Sequence, residues 1–280
     1  MRDYPRVIEV QFHNKCNSNC LICPYKDMNY KYEDMSDELF NKLLSEIDES
    51  KLERIIPYLN NEPFLSNSFL ERVKKIRQRF NDVEIEISSN VSMINDRDLF
   101  ELKNLNITEL RLSVFGYNME TYHKMMPGLN YEKTFSKLNL ISGILKDTNI
   151  IISIVMIDNG EIEEKEFENM RDLCDKLGFN FERWGFLDRS DNVTYKSNNI
   201  YNSNVCTCEQ NRPIERMHIL SDGRVIFCCQ DWGHSIVVGN IKENTISEIW
   251  NSEKYNEVRK SLYNKELDSP EICKKCKLGH

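Results

Sequence analysis

No stretch of the 280-residue sequence approaches the roughly 20 consecutive apolar residues that a membrane-spanning helix needs. A membrane partner is therefore not expected. The N-terminus, MRDYPRVIEVQFHNKC, is charged and short of apolar residues, unlike a secretory signal. The expected compartment is accordingly the reducing cytoplasm. Basic excess is also lacking: 37 Lys and Arg face 45 Asp and Glu, for a net charge of −8. That balance argues against nucleic acid as a partner. Internal repeats and low-complexity linkers are absent. Histidines are few, and His13, His123, His218 and His234 show no pairing along the chain, which reads as ordinary core or surface placement. What remains is a globular composition, 40% hydrophobic and 29% charged, long enough for one large core or a core with a small appendage.

Against these absences stand ten cysteines. In a reducing compartment they read as metal ligands before disulfides. Three of them, Cys16, Cys20 and Cys23, fall within FHNKCNSNCLICPYKD. Three thiolates on a four-iron cluster would leave one iron open to another ligand. Two other readings compete: a zinc site, which would need His13 as a fourth ligand, and three buried thiols. The triplet follows directly on the first strand candidate. In parallel α/β folds, sites form at the carboxyl ends of strands.

Short β-branched runs alternate with helical patterns along most of the chain. Strands are expected over 6–12, 54–59, 83–88, 109–115, 150–157 and 180–187. Helices are expected near 36–50, 66–80, 95–104, 131–146 and 161–177, the last stopped by Gly178. This alternation implies right-handed βαβ units on a parallel sheet. Six units are too few for the closed eightfold barrel. The expected fold class is therefore α/β, a partial (β/α)6 barrel over 1–190. From 191 to 280 the pattern changes to a polar loop, a hairpin turning at Asp222-Gly223, short helices and a closing CKKC. This C-terminal module offers Cys208, Cys228, Cys273 and Cys276 as four candidate ligands. By spacing alone, zinc and a second iron–sulfur cluster both fit. Cys206 competes with Cys208 for the first position, and Cys174 lies on an apolar helix face and reads as core.

The spacing in CNSNCLIC resembles the CxxxCxφC signature of radical S-adenosylmethionine (SAM) enzymes, with Ile22 at the usually aromatic position. Further stretches are similar in order. NNEP (Asn60, Asn61, Glu62, Pro63) stands where the family has Gly-Gly-Glu-Pro, and both glycines are replaced. Ser89-Asn90-Val91 resembles the end of the third strand, and LSVFG, with Ser113, the fourth. The resemblance implies that these residues and Ile22 contact SAM. It also implies that SAM chelates the open iron and that one-electron cleavage yields a 5′-deoxyadenosyl radical. SDGRVIFCCQDW through CKKC is similar to the twitch module, the shortened SPASM domain, which implies one auxiliary [4Fe-4S] cluster. The CEQNRP context favours Cys208 as its ligand. A flavodoxin or ferredoxin reductant is likewise implied.

Arg189 lies just beyond the last strand; resemblance to twitch enzymes implies an arginine there that reaches substrate, and a solvated surface arginine is the competing reading. Cys206 and Cys229 are candidate hydrogen-atom donors, and Asp231 a candidate proton acceptor or a brace for the cluster. The leading expectation is a radical SAM oxidoreductase that oxidises an alcohol or amine carbon of a small molecule, in the sugar or aminocyclitol class. The alternatives are an epimerase, a peptide-crosslinking maturase, and a non-catalytic metal-binding scaffold.

Overall fold

The computed structural model describes residues 2–196 and 200–279. Residues 197–199, part of the expected polar loop, lie outside the described residues. In chain order the elements are β1 (Val7–Val10), α1 (Asp37–Glu46), β2 (Arg54–Ile56), α2 (Phe69–Arg79), β3 (Glu84–Ser89), α3 (Asp96–Asn104), β4 (Glu109–Ser113) and α4 (Met119–Met125). They continue as α5 (Tyr131–Leu145), β5 (Ile151–Asp158), α6 (Glu164–Leu177), β6 (Asn180–Gly185), α7 (Arg212–Glu215), β7 (Arg216–Ile219), β8 (Arg224–Ile226), β9 (Val237–Asn240), α8 (Ile246–Trp250), α9 (Glu253–Tyr263) and α10 (Glu271–Lys274). All six expected strands and all five expected helices are present, each within a few residues of its expected limits.

Where boundaries differ, local side chains end the pattern. The first helix stops at Glu46, not near 50, because Asp48 Oδ1 accepts from the Ser50 N–H and turns the chain. The helix expected from 161 begins at Glu164. Before it, Asp158 Oδ1 accepts from Gly160 N–H and Asn159 Oδ1 from Glu161 N–H, and both bonds compete with helix formation. Helix α4, β9 and the single turns α7 and α10 had no counterpart in the sequence reading.

The chain divides into two compact units. The first comprises Met1–Asn14, Ile22–Asn60 and Leu187–His280. Its strands run in the order β2-β1-β7-β8-β9, with β2, β1 and β7 parallel and the last two pairings antiparallel. The expected hairpin is there, with Gly223 at φ +88° in its turn. Unforeseen is that its first strand, β7, lies parallel to β1 with Val7 opposite Arg216 and Glu9 opposite His218. All four β1 residues are buried, so Glu9 needs a charged partner, and Arg216 Nη1 supplies one at 2.9 Å.

The second unit comprises Lys15–Leu21 and Asn61–Phe186. Strands β3, β4, β5 and β6 form an all-parallel run in that order. The six residues 152–157 of β5 are all buried, as a strand covered on both faces requires. Arg111 joins Glu86 at 2.5 Å and Glu109 at 2.9 Å, tying β3 to β4 through neutralised, half-buried charge. Gly116 follows β4 closely. A Cβ there would sit 2.4 Å from the Tyr122 nitrogen, so no larger residue fits.

Candidate active site

In the second unit the segment carrying Cys16 and Cys20 is pinned at several points. Leu21 N–H donates to Met125 O at 2.9 Å, and Glu62 N–H donates to Lys15 O at 2.9 Å. Asn90 Nδ2 donates to Asn17 Oδ1 at 2.9 Å, and Asn17 Nδ2 donates to Ser92 Oγ at 2.9 Å. The Cys20 Sγ lies 3.0 Å from Ser18 Oγ. The cysteine loop, the NNEP stretch and the end of β3 are thus one hydrogen-bonded group, although they lie far apart in sequence.

Glu62 is the hub of that group. Its Oε1 accepts from Ser89 Oγ at 2.8 Å and Phe64 N–H at 3.3 Å, and its Oε2 accepts from Asn90 N–H at 2.7 Å. Burial is the dominant influence and pushes its pKa up to about 7, against the pull of those three donors. A buried carboxylate already fixed by three donors is a preformed seat for a cationic or amine group. Pro63 opens the short 3-10 turn that presents Phe64 N–H to it. Val91, fully buried, stands at φ +71°, a conformation that costs a β-branched residue roughly 1–2 kcal/mol. Ser113 ends β4, half-buried.

In the first unit Cys23 caps the turn Pro24–Asp27. Burial raises its thiol pKa, with Arg189 pulling the other way. Ile22 is 5% exposed, and the Nδ2 of buried Asn60 has no hydrogen-bond partner. His13, the fourth ligand a zinc reading would have required, is buried and bridges to Asp34 through its backbone.

The first unit also holds a pocket lined by Cys208, Cys228, Cys273 and Cys276 with Ser190, Arg212 and Gln230 among its other walls. Cys206 is not among the lining residues. The close approach of the tail depends on Gly279, where a Cβ would meet Cys273 O at 2.6 Å. Backbone N–H groups already point at sulfur: Gln230 to Cys228 Sγ at 3.5 Å and Leu278 to Cys276 Sγ at 3.4 Å. Burial raises the thiol pKa of Cys273 and Cys276, so a bound cation is what would deprotonate them. This donor set fits a fully ligated iron–sulfur cluster.

The remaining candidates are placed as follows. Asp231 spends both oxygens on its own loop, Oδ1 on Ser235 N–H and Oγ–H, each at 2.9 Å, and Oδ2 on Ile236 N–H at 2.8 Å. Tyr30 donates to Trp232 O and stacks on His234. Cys229, next to a cavity cysteine, turns instead toward Glu9 and His218, the three ligand atoms lying within 4.8 Å of one another. A hydrogen bond from Cys228 holds the Cys229 thiol well below the ordinary range, with Arg212 and His218 adding to the effect. Burial opposes charge on His218, yet Glu9 and then Cys229 raise its pKa to about 9. The sequence reading left His218 unpaired. The β1–β7 register supplies its neighbours, and no sequence signal carried that register. Arg189, Ser190 and Asp191 are consecutive left-handed residues at φ +55°, +56° and +67°, a strained turn. With its carbonyl oriented toward them, the Gln230 side chain accepts from Arg189 Nη1 at 3.1 Å and Arg212 Nη1 at 3.0 Å.

The family profile described as Radical SAM superfamily matches residues 10–174, more than half of the chain. The chain belongs to the radical SAM superfamily. A second profile, the SPASM iron–sulfur cluster-binding domain, matches residues 206–277 of this radical SAM enzyme. It therefore uses SAM with a [4Fe-4S] cluster, and its SPASM region carries an auxiliary iron–sulfur cluster. The S-adenosyl-L-methionine-dependent 2-deoxy-scyllo-inosamine dehydrogenase of Niallia circulans is 30% identical over 111 residues, covering 38% of this chain and 44% of that protein. The match thus spans less than half of the relative's length. Among solved structures, BtrN in complex with AdoMet and 2-DOIA is similar with a TM-score of 0.67 at 18% identity, over 99% of this chain and 94% of that one. Streptococcus suis SuiB bound to the precursor peptide SuiA is similar with a TM-score of 0.70 at 12% identity, over 99% and 70%. At these identities the likeness gives the radical SAM enzyme their α/β fold and C-terminal module. Among the described residues no helix is long and apolar enough to cross a membrane.

Proposed function

We propose that this radical SAM enzyme oxidises an alcohol or amine carbon of a small molecule, in the sugar or aminocyclitol class, to the carbonyl or imine level. The observation that carries the reading is the pocket lined by four cysteines. Those four and the N-terminal three leave Cys174, Cys206 and Cys229, too few to furnish a second fully ligated auxiliary cluster. The partial match to a SAM-dependent dehydrogenase supports the same class. We take residues 1–190 as the partial barrel and 191–280 as the auxiliary module.

When bound, SAM and its cluster would supply a radical able to remove one hydrogen atom from the substrate carbon, and the auxiliary cluster would supply an acceptor for the second electron, the hydroxyl or amine proton being lost to solvent. The residues of this chain do the positioning. Cys16, Cys20 and Cys23 hold the SAM-site cluster. Glu62, fixed by Ser89 and Asn90, seats the SAM amino group, aided by Asn60, Asn61 and Pro63. Ile22 packs against the nucleoside and Ser113 meets the ribose. Cys208, Cys228, Cys273 and Cys276 hold the auxiliary cluster, and Arg189 is the substrate contact. A low-potential one-electron donor such as flavodoxin or ferredoxin completes the cycle, in the cytoplasm. Incubation with SAM, dithionite and a panel of aminocyclitols and sugar alcohols under anaerobic conditions is expected to give 5′-deoxyadenosine matched one-to-one by a carbonyl product. Deoxyadenosine formation with no oxidised product across the panel would count against the reading.

The likeness to a peptide-bound relative supports a second reading, peptide maturation by the same radical. An epimerase variant of the chemistry needs a hydrogen donor, for which Cys206 and Cys229 are the candidates. Full activity in both Cys→Ala variants removes that option.

A further inference from the structure

Arg212 is the one guanidinium lining the four-cysteine cavity among the described residues. It opens the turn α7, only four residues beyond Cys208, so the ligand loop itself delivers it. Its Nε is buried without a hydrogen-bond partner. No carboxylate pairs with it at ion-pair distance among the described residues. Its Nη1 instead donates to Gln230, a neutral side chain 2% exposed that also takes Arg189. A cation is therefore held against the cavity wall by a neutral amide, its charge left for whatever fills the cavity.

A cluster held by four thiolates is an anion in either redox state, and one-electron reduction adds one more negative charge. A fixed cation at low local dielectric stabilises the more negative state more strongly. Two backbone N–H groups aimed at Cys228 and Cys276 act in the same direction. We propose that Arg212, anchored by Gln230, is a positioning residue that raises the reduction potential of the auxiliary cluster and so makes it able to accept the substrate's second electron. The inference rests on the assignment of Cys208, Cys228, Cys273 and Cys276 as the ligands of that cluster.

The test uses the full chain carrying Cys16→Ala, Cys20→Ala and Cys23→Ala, so that the auxiliary cluster is the one remaining iron centre. Anaerobic redox titration is followed by electron paramagnetic resonance, and iron is counted in every sample. Arg212→Met is expected to keep its iron and to lower the reduced-to-oxidised ratio at fixed potential at least tenfold, about 59 mV for one electron. Arg212→Lys, which keeps the charge, is expected to stay within about threefold of the parent. A midpoint for Arg212→Met within about twofold of the parent, with iron retained, overturns the proposal. Should Arg212→Met lose iron, Gln230→Leu carries the test, since it frees both guanidinium groups and leaves the backbone N–H in place. A fall of about threefold or more with iron retained supports the proposal. An unchanged midpoint, or loss of iron in this variant too, overturns it. Separately, Cys208→Ala in the same background tests the ligand assignment: undiminished iron there rejects that assignment, whatever Arg212 does.

Discussion

Glu62 offers the sharpest quantitative check, because its carboxyl is 2% exposed and its pKa is raised to about 7 by burial. In the unfolded chain it returns to the ordinary value of 4.5. Between those values the folded state keeps a proton that the unfolded state has lost. The contribution to stability is therefore fully present below 4.5 and is lost as pH rises through 7. Worked through from pH 5 to pH 8, the loss is about 2.5 kcal/mol. Glu62→Gln removes the titration. It also turns an amide N–H toward the Asn90 N–H that Oε2 now satisfies, a pH-independent cost of roughly 1–3 kcal/mol. The offset is thus the same at every pH, and the slope is the diagnostic. Urea midpoints of SAM-free, cluster-loaded protein, measured anaerobically from pH 5 to pH 8, are expected to fall for wild type relative to the variant. Other titrating groups, His218 among them, are common to both proteins and cancel. Parallel profiles would refute the claim that Glu62 is a desolvated, proton-retaining carboxyl.

Other substitutions test the packing and the ligand set. Gly116→Ala forces a Cβ to within 2.4 Å of the Tyr122 nitrogen, and its melting temperature is expected to drop in line with a loss of at least ~2 kcal/mol. Val91→Gly relieves roughly 1–2 kcal/mol of left-handed strain but forfeits burial worth about 1.5–3 kcal/mol, so packing wins and a higher melting temperature would contradict the balance. Arg259→Met leaves Pro213 O and the Trp250 carbonyl without the donors that now reach them at 2.9 and 2.5 Å, and thermal unfolding should show a loss of roughly 2–4 kcal/mol. In otherwise intact protein, alanine at Cys208, Cys228, Cys273 or Cys276 is expected to reduce iron from about eight to about four per chain. Cys206→Ala is expected to leave it unchanged, and an iron loss there would move the first ligand to Cys206.

Much of the organisation could be read without coordinates. Period and β-branching located β1 to β6, most plainly β5, where IISIVMID is the continuous apolar run that a parallel strand buried on both faces requires. The CNSNCLIC spacing and the paired C-terminal cysteines read as ligand sets because ligand type and local spacing are properties of a short segment, whereas NNEP stood out only by its resemblance to the family's Gly-Gly-Glu-Pro. Helix ends were missed by a few residues where Asp48, Asp158 and Asn159 redirect the backbone, since side-chain competition for backbone groups is decided locally by geometry.

Composition, spacing and periodicity by themselves determined the α/β class and the two cysteine sets, and the resemblance of CNSNCLIC and NNEP to family motifs pointed to the radical SAM family. Tertiary structure alone decided the parallel pairing of β7 with β1, which sets His218 opposite Glu9 and beside Cys229. It also decided that the Glu62 carboxyl closes on Ser89 and Asn90, and that Arg212 rather than a carboxylate faces the four thiols. The physical reason is common to all three. Each depends on burial and on the register of segments distant in sequence, and those fix a side chain's partners only after the chain has packed.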